Sequence, residues 1–188
     1  VLQDEPLVGL PRIYGVAWAF VAHTDSAFNE ELLLGFLRAY ETTRELTLGE
    51  LWALPTTLRV VLIENLRRLA ERVAAFKAAR EVANLCCDSM AAYPAQRLDA
   101  VLALLNRRGV GEPFLAQIAQ RLQDHHAAEP EAMRDWLHRV APHLAEIQTR
   151  LPAAQAADNL SVGNAITSLR SIGDADWPDI VAHTSVLM

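Results

Sequence analysis

The stretch Leu46–Ala79, "LTLGELWALPTTLRVVLIENLRRLAERVAAFKAA", decides how the rest of the chain is read. A proline interrupts what is otherwise one helical pattern, and the apolar cluster "RVVLI" gives way at once to the charged block "ENLRRLAER". Its start is well marked. Thr47 to Glu50, "TLGE", fits a capping box, in which the Thr hydroxyl and the Glu carboxylate each satisfy a backbone N–H left open at a helix start. Pro55 would remove the bond to residue 51 and clash with its carbonyl. A short helical turn ending near Leu54 and a fresh start at Pro55 is therefore expected.

Beyond the proline, Leu58, Leu62, Leu66, Leu69, Val73, Phe76, Ala83, Cys87 and Met90 recur at steps of three and four, broken by Arg80. Such spacing lays one apolar stripe along a helix, widened by Val61, Ile63 and Ala70. One long central helix is expected around residues 56–92. Glu64, Arg67, Arg68, Glu71 and Arg72 fall on other faces, with Glu64 and Arg68 an attractive pair four residues apart.

The flanking segments read as helices too. Val8 to His23 has Pro11 in its opening turn, where a missing N–H is no loss. Asn29 is an N-cap ahead of Glu30 and Glu31, two carboxylates suited to a helix start. Pro94, Pro113, Pro130 and Pro152 each open a further pattern, Pro142 interrupts one, and Gly109 and Gly173 act as stops. Asp176-Trp177-Pro178 begins the last. No stretch alternates with period two over five residues, so the expected class is all-α, roughly seven to nine helices forming one domain over 1–188.

Composition narrows the function. A hydrophobic content of 52% supports a packed core, and 17 Lys+Arg against 23 Asp+Glu give a formal net charge of −6. That balance opposes nucleic-acid binding, which needs a basic footprint. The apolar runs Ile13–Ala22 and Val60–Ile63 are far shorter than the ~20 residues of a membrane helix. Cys86 and Cys87 are adjacent in a helical pattern, where side chains diverge by about 100°, so an ordinary disulfide between them is sterically disfavoured and a reducing compartment fits. Both ends read as cut from a larger protein.

Motifs that carry chemistry are weak. Asp174-Ala175-Asp176 imitates the metal-binding Asp-x-Asp of nucleotide-sugar transferases but follows a helical pattern, where Asp176 serves as an N-cap. His125, His126, His138 and His143 lack the spacing of a helical zinc site. His23-Thr24-Asp25 has no nucleophile motif beside it. Trp18, Trp52, Trp136 and Trp177 could stack on sugar rings but stand at core-like positions. No catalytic residue, metal or cofactor is expected in this chain.

Several long runs resemble the cyclic β-1,2-glucan synthases: Leu10 to Tyr14 ("LPRIY"), His23 to Asp25 ("HTD"), Leu46 to Ala70, and Ser161 to Trp177 ("SVGNAITSLRSIGDADW"). Residues 75–158 match loosely. The resemblance implies a helical region upstream of the glycosyltransferase domain of a very large inner-membrane bacterial protein, on its cytoplasmic side. It implies a parent that makes cyclic glucan from UDP-glucose with catalytic residues outside this segment. It points to a scaffold whose partners are other domains of the synthase, with a glycan-binding module for the growing β-1,2-glucan as the alternative. Trp52, Glu64, Asn65, Arg67 and Arg68 are the docking candidates.

Overall fold

Local chemistry sets most helix ends in the computed structural model, which describes residues 2, 7–89, 95–124 and 131–184. The order is α1 (Arg12–His23), α2 (Glu30–Glu41), α3 (Leu48–Asp88), α4 (Ala95–Arg107), α5 (Gly111–Asp124), α6 (Glu131–Val140), α7 (Leu144–Asp174) and α8 (Trp177–Thr184). Among the described residues there is no strand, and the expected all-α class holds.

The caps follow the side chains. Asn29 accepts from the Leu32 amide at 3.0 Å, and Asp176 accepts from the Asp179 amide at 3.1 Å. Pro11 stands at the N-cap of α1 rather than inside its first turn, so that helix begins at Arg12, not at Val8. Past α4, the chain turns through Gly109 at φ +70°. Val110 N–H reaches Leu105 O at 3.0 Å and Gly109 N–H reaches Asn106 O at 3.0 Å, a Schellman closure that needs a residue free of Cβ clashes. The interruption expected at Pro142 is present, separating α6 from α7.

Two expectations about proline are corrected. α3 runs unbroken from Leu48 to Asp88 with Pro55 inside it. Leu51, Leu54 and Leu58 flank the ring and are each 1% exposed or less. Burying three leucines contributes several kcal/mol, more than the roughly 3 kcal/mol an internal proline costs. α7 likewise continues through Pro152 and Gly173 to Asp174. Pro152 is exposed, and there a carbonyl freed from the ladder can bond water.

The described residues group into two compact units, 1–69 with 157–188, and 70–156. In the first, Phe20, Leu33, Leu37, Leu51, Leu58, Leu62, Ala165, Ile172 and Ile180 form the core. In the second, Ala83, Cys86, Leu98, Phe114, Ile118, Met133 and Trp136 do so. The stripe read along α3 is therefore not continuous. Val73 is 43% exposed, Phe76 only half-buried, and the deepest positions beyond it are Ala79, Ala83 and Cys86 rather than Ala83 and Cys87. Both cysteines are free thiols, and burial raises their pKa values, which keeps them protonated and unreactive. Met90, Pro94, His125, His126 and Pro130 lie outside the described residues.

Candidate functional site

The first unit holds two polar clusters and one presented face. At the start of α3, Thr47 and Glu50 complete the capping box: Thr47 N–H donates to Glu50 Oε2 at 2.9 Å and Glu50 N–H to Thr47 Oγ1 at 3.3 Å. The same carboxylate takes a two-pronged grip from Arg12 at the head of α1, with Nε on Oε1 at 2.8 Å and Nη2 on Oε2. Nη2 also donates to Glu45 O at 3.0 Å. A cleft of about 930 Å³ opens beside the pair, lined also by Arg44 and Pro11.

Arg12, foremost, together with the Thr47 bonds, holds the Glu50 carboxyl down to about 2. Its folded pKa is thus below the roughly 4.3 of a free glutamate. The stabilisation it brings is complete above that value and drains away as pH falls toward 2. Melting temperature should be level above pH 5 and decline between about pH 4.5 and 2, with Glu50→Gln showing a shallower decline. A decline of equal slope in the variant would remove Glu50 as its source.

The second cluster grips the turn between α1 and α2. Asp25 and Ser26 both sit in the left-handed region, at φ 51° and 66°. Such a pair persists when surrounding groups hold it. Ser161 Oγ donates to Asp25 Oδ1, and Asn164 Nδ2 donates to Asp25 O at 3.0 Å. Ser168 Oγ donates to Ser26 O and accepts from Phe28 N–H, each at 2.7 Å. From α3, Asn65 Nδ2 donates to Ser26 Oγ at 2.8 Å. His23 is exposed, and Thr24 Oγ1 donates to Phe20 O at 2.9 Å. The His-Thr-Asp run is thus a pinned turn, with Ser161 bound to its carboxylate. Ser161, Asn164 and Ser168 were not singled out from the sequence, although their spacing of three and four puts small polar groups along one helix face beside Ala165.

The docking candidates are dispersed between clusters and surface. Asn65 serves the turn. Trp52 is 50% exposed on α3. Glu64 accepts from Arg67 Nε at 2.8 Å and Nη2 at 2.9 Å, and from Arg68 Nε at 3.0 Å. Arg67 and then Arg68 pull its carboxyl down to about 2. Both arginines keep more than half their side-chain surface in solvent.

The remaining candidates have structural positions. Asp174 ends α7 and Asp176 caps α8. His138 is exposed, and His143 lies 3.9 Å from Glu146. Among the described residues no cluster of three or more His, Cys, Asp or Glu is placed to hold a metal ion, and no helix is long and apolar enough to cross a membrane. Trp136 is buried, Trp177 half-buried, and Trp18 is 39% exposed.

What these groups do is hold a helical frame and present the outer side of α3. No protein-family model matches the chain. An all-α chain of this kind is related to a segment of a glucan synthase: it is 33% identical over 173 residues, 89% of its own length, to the cyclic β-(1,2)-glucan synthase NdvB of Rhizobium meliloti (strain 1021). The chain spans about 6% of that protein's length.

Proposed function

We propose that this chain is a non-catalytic helical scaffold of a cyclic β-1,2-glucan synthase, docked on other domains of that protein at the cytoplasmic side of the bacterial inner membrane. One observation carries the reading: similarity runs through 89% of the chain yet touches 6% of NdvB. A segment that small leaves room for the conversion of UDP-glucose to cyclic glucan elsewhere in the parent, with no cofactor or metal required here. Arg67 and Arg68 supply the docking chemistry, because the planar guanidinium suits pairing with carboxylates across an interface.

Arg67→Ala and Arg68→Ala should change the stability of the 188-residue chain by about 0–1 kcal/mol, the range for exposed pairs. Each should lower cyclic glucan synthesis by the full-length enzyme. Unaltered synthesis in both variants would overturn docking through this block, and a large loss of stability would make the arginines internal staples instead. The exposure of Trp18 and Trp52 favours a second reading, a module that guides the growing β-1,2-glucan. Quenching or a blue shift of tryptophan emission on adding β-1,2-glucan, lost in Trp52→Ala, would establish it.

A further inference from the structure

The α1–α2 turn is strained at a place where its sequence is also chemically fragile. An aspartate followed by a small residue can close on its own main chain. The next backbone nitrogen attacks Cγ, a water molecule leaves, and a cyclic imide forms. Water then opens the imide at either carbonyl, giving back aspartate or leaving isoaspartate, so the water lost in the first step is regained in the second. The chain has two Asp–Ser bonds, Asp25–Ser26 and Asp88–Ser89, and no Asp–Gly or Asn–Gly. Asp88 and Ser89 are exposed at the end of α3. At Asp25–Ser26 both reacting groups are engaged. Ser26 is 2% exposed, and its N–H donates to Val21 O at 2.9 Å. The Asp25 carboxylate accepts from Ser161 Oγ, and Asn164 Nδ2 holds the carbonyl of the same residue. Ring closure swings Asp25 Cγ onto Ser26 N, which breaks the Ser161 and Val21 bonds together.

We propose that Asp25–Ser26 is a latent isoaspartate-forming site, guarded by the grip of α7 through Ser161 and Asn164 and opened when that grip is released. Strain favours the opening. Among the described residues, Asp25 and Ser26 are the non-glycine residues at positive φ, a region that residues with a Cβ leave once nothing holds them there. Local opening of a turn needs no unfolding of the core behind it. The freed turn then has an exposed carboxyl beside a backbone nitrogen that no longer donates to Val21. Isomerisation makes the opening permanent. In isoaspartate the former side-chain carboxyl becomes the peptide carbonyl, and the former main-chain carbonyl becomes a free carboxylate. The two acceptors that Ser161 and Asn164 hold are thereby exchanged, and the inserted methylene lengthens the turn. The clamp cannot close over it again. The site thus records, in covalent form, how often α7 has let go of the α1–α2 turn.

The test ages the 188-residue chain in warm, mildly acidic buffer and maps isoaspartate by peptide mass spectrometry, with an isoaspartate methyltransferase as the label. Each bond's native rate is divided by its own rate in guanidinium chloride, and Asp88–Ser89 serves as the reference within the chain. For the native chain the ratio at residue 25 should be several-fold below one. Ser161→Ala should raise it several-fold and leave residue 88 unchanged. Asn164→Ala, whose lost bond is exposed and least threatens the fold, should raise it by a smaller factor. Native ageing at residue 25 as fast as in denaturant would overturn the proposal. So would variants that leave residue 25 unchanged, or that speed both bonds in proportion, the mark of global unfolding rather than release of the turn.

Discussion

Replacing Trp136 with alanine should remove about 3–5 kcal/mol of stability, the range for deleting a buried large aromatic. The indole is 1% exposed in the second core. Its ring meets Phe114 edge-on, with centroids 6.5 Å apart at 82°. Its N–H donates to Asp99 Oδ1 at 2.7 Å, so the variant loses packing, an aromatic contact and a charge-assisted bond at once. Denaturant unfolding gives the total, and amide exchange gives its location: protection should fall first in α4, α5 and α6. A loss under about 1 kcal/mol would mean that Trp136 does not centre this core.

Ser168→Ala should cost roughly 2–4 kcal/mol, which is large for the removal of one oxygen atom. Ser168 is 2% exposed, and its hydroxyl serves two backbone groups of the α1–α2 turn. Without it the Ser26 carbonyl loses a buried partner, at a desolvation penalty of about 1–3 kcal/mol, and the part-buried Phe28 amide loses its partner at a smaller one. Phe28 amide exchange should accelerate in step with the destabilisation. Asn164→Ala supplies the contrast, because its bond to Asp25 O is exposed and water can replace it. Equal effects in the two variants would show that the turn is held by something other than Ser168.

Which features were legible in the sequence follows from the range of the forces involved. Thr47 with Glu50, Asn29, Asp176 and Gly109 act on backbone groups within five residues, and each was read correctly from its neighbours. Pro55 was misread for the opposite reason. Its local cost is real, but it is outweighed by Leu51, Leu54 and Leu58, whose burial depends on partners that a local pattern does not name. The stripe from Leu58 to Met90 has the same weakness. Periodicity reports that a face is apolar and is silent on which core receives it, so the exposed run 70–75 between two cores left no mark. The turn cluster was the least legible. Its bonds from Ser161, Asn164 and Ser168 span 136 to 142 residues. The resemblance had nevertheless marked both of its halves, His23 to Asp25 and Ser161 to Trp177, without indicating that they meet.

The order in which residues contribute to the two units has a consequence for biosynthesis. The second unit is contiguous, 70–156, whereas the first is assembled from 1–69 and 157–188. A nascent chain that emerges at about 5–20 residues per second can therefore complete the later-encoded unit before the earlier one. During that interval Leu33, Leu37, Leu58 and the Asp25–Ser26 turn wait without Ala165, Ile172 and Ser168, which the ribosome has yet to deliver. The amino-terminal helices are then the part of this chain most in need of a chaperone, and the part where a slow codon placed after residue 156 would do most harm.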